Sequence, residues 1–328
     1  MNFTRRMLIA AGMATALAGS ASIAMAQDRI ELNFSAVFSQ QDIRAEMMAK
    51  FAEAIGDEFA FTGYYGATLF KQGTELVALQ RGNLDMGNIA PQDIANQLPQ
   101  WSALTSAYLF RDSDHLRAFF NSEVGKEMTK MVEDQLSVKV LGPTYFGTRQ
   151  LGLNLDKEIK TPADMEGVKL RMPGGEAWQF LGGALGANPV PMAYPEVYTG
   201  LQTGAIDGQD NPLPNVQNMK FYEVMKQVVL TSHLVGYDLL SISLGTWNKL
   251  SPEQQAKVQS AADTAIAWST EQHLKRESEL AAFMEEQGLK VYKPDVDAFR
   301  AFAQDKYLKS DLAKDWPEGI VDKVNAIK

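Results

Sequence analysis

In the stretch KLRMPGG, residues 169–175, Leu170 and Met172 alternate with Lys169 and Arg171 until a proline ends the run. That is the pattern of a short strand with one face on a core and the other on solvent or a crevice. A second arginine, Arg149 in FGTRQLGLN, lies on another strand-like run; Asn211 follows a third, and Tyr194 opens a helix-like segment. Two planar guanidinium forks match the oxygens of a carboxylate or sulfonate, and an asparagine both donates and accepts. These residue types therefore suit an organic anion. Arginines on strands serve equally well as salt-bridge members, and residue types alone leave both roles open.

Other chemistries lack their parts. The three histidines, His115, His233 and His273, are far apart and have no second ligand-type neighbour at metal spacing. Cysteine is absent, which removes thiolate metal sites, thiol nucleophiles and disulfides. No G-x-S-x-G elbow, P-loop or EF-hand occurs, and GGALGA lacks the downstream acid of a dinucleotide site. Asp207 and Asp210 form a conceivable carboxylate pair, but Asp207 stands where Asp85 stands in an internal echo, which favours a shared structural role. No metal and no cofactor is expected.

The elements that must position these residues alternate between strand and helix. IELNFSAVF reads as a strand, QQDIRAEMMAKFAEAIG as a helix closed by glycine, FAFTGYY as a strand, and GTELVALQRG as a second glycine-terminated helix. This rhythm predicts an α/β fold of mostly parallel sheets flanked by helices, and it restarts after residue 150. The echo pairs ELVALQRGNLDMGNIAPQ (75–92) with EVYTGLQTGAIDGQDNP (196–212), each a helix, a glycine and a strand. Turns beyond the carboxyl ends of such strands are natural cleft walls. From Ser251 to Gly288 the chain opens with a capping box and runs without a breaker, a rod of roughly 55 Å at 1.5 Å per residue, enough to brace two lobes.

The amino terminus reads as a secretory leader: Arg5 and Arg6, an apolar stretch from Met7 to Ala21, and an Ala24-Met25-Ala26 site with cleavage after Ala26. The apolar run is too short and too rich in small residues for a membrane anchor. Arg5-Arg6 leaves general and twin-arginine export both open. Loss of these two basic residues and no acidic ones moves the net charge from −9 to −11, a balance that repels phosphate backbones and argues against nucleic acid as a partner.

TPADMEGVKLRMPGG and GANPVPMAYPEVYTGLQTGAIDGQDNP, together with LVALQRGNLDMG and SAYLFRDSDHLRAFF, resemble the substrate-binding proteins of tripartite ATP-independent periplasmic (TRAP) transporters, the DctP-like family. The likeness runs through essentially the whole chain after the leader. It implies a two-lobed periplasmic binding protein fold with a long helix spanning both lobes. The lobes would comprise residues 27–148 plus about 239–275, and 149–238 plus about 276–328. It also implies a periplasmic receptor, not an enzyme, that captures a small organic anion and delivers it to the membrane subunits of such a transporter. Arg171 would hold the ligand's carboxylate, with Arg149, Asn211 and Tyr194 around it. Gln92, Phe38 and Tyr65 on one side, and Trp178, His233 and Tyr237 on the other, are further candidates. This chain has Asp210 where the family often has Glu, and Ala90-Pro91 where it often has a more polar stretch, so a carboxylate, a sugar acid and a sulfonate all remain open as ligands. A binding module for a sensor or for another transporter is the rival reading, and a periplasmic enzyme a weaker one.

Overall fold

The strands that the alternating sequence predicts lie side by side in one nine-stranded sheet. A computed structural model describes residues 29–328, so the leader falls outside the described residues. The chain runs β1 (Ile30–Ser35), α1 (Ile43–Ile55), β2 (Phe59–Tyr64), α2 (Glu75–Gln80), β3 (Met86–Ile89) and α3 (Pro91–Ala95). Then follow α4 (Ser113–Asn121), α5 (Glu123–Leu136), β4 (Val138–Leu153), β5 (Lys169–Met172), α6 (Glu176–Ala184), β6 (Asn188–Pro191), α7 (Val197–Thr203) and β7 (Gly208–Pro212). The remainder is α8 (Leu213–Asn218), β8 (Gln227–Ser243), α9 (Leu244–Trp247), α10 (Pro252–Glu286), β9 (Lys290–Tyr292), α11 (Val296–Leu308) and α12 (Ile320–Ala326).

Both halves have the expected parallel strands: β1 with β2 and β3, and β5 with β6 and β7. They are not separate sheets, however. The order β2-β1-β3-β8-β4-β7-β5-β6 is continuous because β4 and β8 run antiparallel to each other through both halves. With 16 and 17 residues they span about 55 Å at 3.3–3.4 Å per residue, about three times the reach of a typical strand. Near residue 239 β8 pairs with β3, and near residue 228 with β9, so one strand serves both halves.

The echo units are built alike. Asp85 accepts from the backbone N–H of Asn33 (2.9 Å) and from Thr246 Oγ1 (2.8 Å), and Asp207 accepts from the backbone N–H of Lys169 (2.8 Å). Each aspartate ties the start of its strand to the neighbouring strand, so the pair is structural. Helix α10 keeps its Ser251 and Gln254 capping box and crosses between halves. Val258, Ala261, Ala262 and Ala265 pack with Phe34 and Phe51 of the first half, while Leu280 and Met284 pack with Val197 and Phe221 of the second.

The carboxyl-terminal segment departs from the lobe division drawn above. Phe299 and Tyr307 of α11 pack with Leu170 and Met172, but Ile320 and Val324 of α12 return to the first-half cluster around Leu116 and Phe119. Two groups hold that return: Arg111 donates to the Ile327 carbonyl (2.6 Å), and the His115 ring meets the Val324 carbonyl (2.9 Å).

Candidate functional site

Between the halves lies a cavity of about 330 Å³, a size suited to a small metabolite. One wall comes from β4, β5, β7 and the segments after them. Arg171 is the third residue of β5, with its side chain only 1% exposed. Its Nε donates to the Met192 carbonyl (2.9 Å) and one Nη to Gln72 Oε1 (3.1 Å). No aspartate or glutamate among the described residues forms an ion pair with it. Burial pulls the guanidinium down from its ordinary value to about 10; the charge of Asp210 opposes this and that of Arg149 adds to it.

Arg149 is in a different condition. Its Nε and Nη2 grip both oxygens of Asp210, at 2.8 and 2.9 Å, and its guanidinium lies 4.9 Å from the Trp178 ring centroid. Asp210 also meets His233 Nε2 (3.0 Å), whose Nδ1 meets Thr231 Oγ1 (2.8 Å). Burial pushes the Asp210 carboxyl up, yet the Arg149 charge and the hydrogen bonds from His233 and Arg149 outweigh it and hold the group well below the carboxylate range. Burial depresses His233, so a neutral ring donates to Asp210 from Nε2 and accepts from Thr231. Arg149 is therefore neutralised in place, and Arg171 is the cation left open to the cavity.

Beside them, Asn211 donates to Gln209 Oε1 (2.6 Å) and Asn215 donates to the Tyr194 hydroxyl (3.2 Å). Burial lifts the Tyr194 hydroxyl to about 12, keeping it protonated. The opposite wall comes mainly from the first half of the chain, joined by Asp238 of β8. Arg44 is clasped by Asp42 (2.9 Å) and Asp238 (2.8 Å) and sits 4.3 Å from the ring centroids of both Phe38 and Phe146. Gln72, Glu75, Asn88 and Asp93 complete that side.

Of the residues singled out from sequence, Arg171, Arg149, Asn211, Tyr194 and Trp178 line the cavity together. The others do not line it. Phe38 is buried beneath Arg44, and Tyr65 packs at a tilt against Phe34 and Phe38. His233 stands behind Asp210. Tyr237 donates to the Leu104 carbonyl (3.1 Å) within an aromatic cluster of Phe110 and Phe120, and Gln92 is 1% exposed behind Trp178. Sequence reasoning missed Arg44, Gln72, Glu75, Asp93, Asn215 and Asp238. A carboxylate amid the apolar strand residues of HLVGYDLLSIS was the readable signal for Asp238.

Two halves joined by crossing strands and a long helix, with a buried open cation in the cavity between them, define a two-lobed solute-binding protein. The model of one family, described as bacterial extracellular solute-binding protein, family 7, matches residues 35–312, and the chain belongs to that family. It is similar to a TRAP periplasmic solute-binding protein of Roseobacter denitrificans solved with bound 3-deoxy-D-manno-oct-2-ulosonic acid. That likeness has 46% identity, a TM-score of 0.90, and coverage of 92% of this chain and 100% of the other. A second Roseobacter denitrificans TRAP periplasmic solute-binding protein, with bound L-galactonate, is 28% identical with a TM-score of 0.82, over 91% and 98% of the two chains. The sialic acid-binding periplasmic protein SiaP of Vibrio cholerae is 33% identical over 268 residues, 81% of this chain and 83% of that protein.

Proposed function

We propose that the chain is a periplasmic receptor that seats the carboxylate of a small organic acid on Arg171, closes its two lobes over it, and passes it unchanged to the membrane subunits of a TRAP-type transporter. The observation that carries this reading is a guanidinium 1% exposed at a cavity wall with no acidic partner among the described residues. A buried cation is costly to keep unpaired, and an incoming carboxylate supplies the missing charge in a bidentate geometry. Arg149, held by Asp210, lines the site as a neutralised pair, and Asn211, Tyr194 and Trp178 shape the space around the anion. The three similar proteins support the reading, since each is described with an acid as its ligand. No helix of the described residues is long and apolar enough to cross a membrane, and the proposed membrane partner provides the passage. The leader would direct export and be removed by cleavage after Ala26.

The test is a thermal-melt screen of the refolded protein against carboxylates, sugar acids and sulfonates, with Arg171→Ala in parallel. A ligand at about 1,000 times its dissociation constant stabilises by about 4 kcal/mol, on the order of 6 °C for a chain of this size. The expected result is an acid whose shift disappears in Arg171→Ala and which is recovered chemically unchanged. A shift that survives the substitution places the anion elsewhere, and conversion of the acid would make the protein an enzyme.

A further inference from the structure

Arg171 accounts for one end of the ligand, and the facing wall bears on the other. That wall presents Glu75, Asp93 and Asp238 to the cavity. Asp238 is ion-paired with Arg44, but neither Glu75 nor Asp93 has a basic partner among the described residues. Such a wall accepts hydrogen bonds and opposes negative charge. A second, independent feature points the same way: the Oδ1 of Asn215, in a side chain 3% exposed on the same cavity, has no hydrogen-bond donor. An unfilled acceptor calls for a donor. A hydroxyl can be one, and a carboxylate oxygen cannot.

Taking Arg171 as the carboxylate anchor, we infer that the cleft selects organic acids with a single carboxylate and a hydroxyl-bearing tail, and that Glu75, Asp93 and Asn215 set this choice. Tail hydroxyls donate to these three acceptors. A second carboxylate at the far end would lie among Glu75, Asp93 and Asp238 in a dehydrated cleft, where repulsion is far stronger than in water. Of the anions that two arginines and an asparagine admit, diacids are thereby refused. Glu75 and Asp93 hold protons up to about pH 7, because burial disfavours their charge and each feels neighbouring carboxylates. Protonation softens the repulsion, and the arginine on that wall, Arg44, is already held by Asp42 and Asp238, which leaves a second carboxylate without a cation of its own.

Matched acids differing only in oxidation of the terminal carbon, D-gluconate with D-glucarate and D-galactonate with galactarate, test this by titration calorimetry at pH 8 on the refolded protein. Hexanoate, a chain without hydroxyls, and 3-deoxy-D-manno-oct-2-ulosonate complete the panel. The expected result is that at least one hydroxylated monoacid binds, that diacids bind at least 100-fold more weakly, and that hexanoate is not detected. Glu75→Gln with Asp93→Asn should narrow the monoacid preference at least tenfold; if that pair fails to fold by circular dichroism, Glu75→Gln alone provides the comparison. A diacid within tenfold of its monoacid, hexanoate binding as tightly as the sugar acids, or a panel with no hydroxylated monoacid bound overturns the inference. Arg171→Ala separates the two readings. A diacid whose binding it abolishes overturns the selectivity and leaves the anchor standing, whereas binding that survives it overturns the anchor.

Discussion

The acidic groups of the first-half wall tie the cavity to stability as well as to selectivity. Burial raises Glu75 from 4.5 to about 7; backbone hydrogen bonds from Gly73, Thr74 and Glu75 itself oppose this and the Asp238 charge adds to it. Burial likewise raises Asp93 from 3.8 to about 7, with the Glu75 and Asp238 charges adding to it, and raises Asp238 to about 6 against the pull of Arg44. A carboxyl whose folded value lies above its unfolded one binds its proton more tightly in the native chain. Its contribution is fully present below about pH 4.5 and is lost as pH rises through 7, on the order of 2–3 kcal/mol for Glu75. Asp42 and Asp210 act oppositely, because their lowered values make their contribution fade only in acid. The melting temperature should therefore peak near about pH 5 and fall by pH 8, with roughly 3–5 °C of the fall due to Glu75 alone. Glu75→Gln should remove much of that fall; a flat profile in the wild type, or an unchanged decline in the variant, would contradict the assignment.

At the scale of elements, the place where the chain passes between halves is built from glycine and backbone contact. Gly147 in β4 has φ of 115°, and a Cβ there would stand 2.6 Å from Pro212 Cβ; a Cβ on Gly236 of β8 would stand 2.5 Å from the Gly147 carbonyl oxygen. Glu277 of α10 closes the crossing, accepting from the Thr148 N–H (2.7 Å) and from the Tyr145 hydroxyl. Gly147→Ala should cost about 2–4 kcal/mol, through positive φ and overpacking together. Gly183→Ala, in helix α6 with nothing within 4 Å of the new Cβ, should stabilise by up to about 1 kcal/mol. Urea denaturation of both variants checks the contrast, and equal effects would remove Gly147 from its special role. The same glycines explain what was legible in the sequence. The echo units, β5 and α10 carry their signals locally, in periodicity, caps and terminal glycines, and all were readable. Strand β4 was not read as one element because Gly142, Pro143 and Gly147 look like breakers, and only its pairing with β8 overrides them.

At the scale of the molecule, the two walls of the cavity differed in how far sequence exposed them. The second-half wall lay within contiguous motifs, whereas Arg44, Gln72, Glu75, Asp93 and Asp238 are scattered from helix to loop to strand, and only the folded topology makes them neighbours. Gln72 joins the walls directly. From the first half its Oε1 accepts from Arg171 (3.1 Å) and from the backbone N–H of Tyr194 (2.8 Å), both of the second half. It thus occupies one branch of the guanidinium that would hold the ligand and couples that group to closure. Gln72→Glu replaces the amide oxygen by a carboxylate at the same reach, giving Arg171 an internal anion and turning an ion–neutral hydrogen bond into an ion pair. Closure would then no longer depend on ligand, and an acid would have to displace the new partner from a dehydrated site. The ligand-free variant should match the ligand-bound wild type in small-angle scattering and bind acids at least 100-fold more weakly. Gln72→Ala should leave the anion's partner free and weaken binding by a few-fold only, through lost cross-lobe contact. Affinity in Gln72→Glu within a few-fold of wild type would mean that the ligand's carboxylate and the Gln72 side chain do not share Arg171, and that closure is governed by the crossing strands and α10 alone.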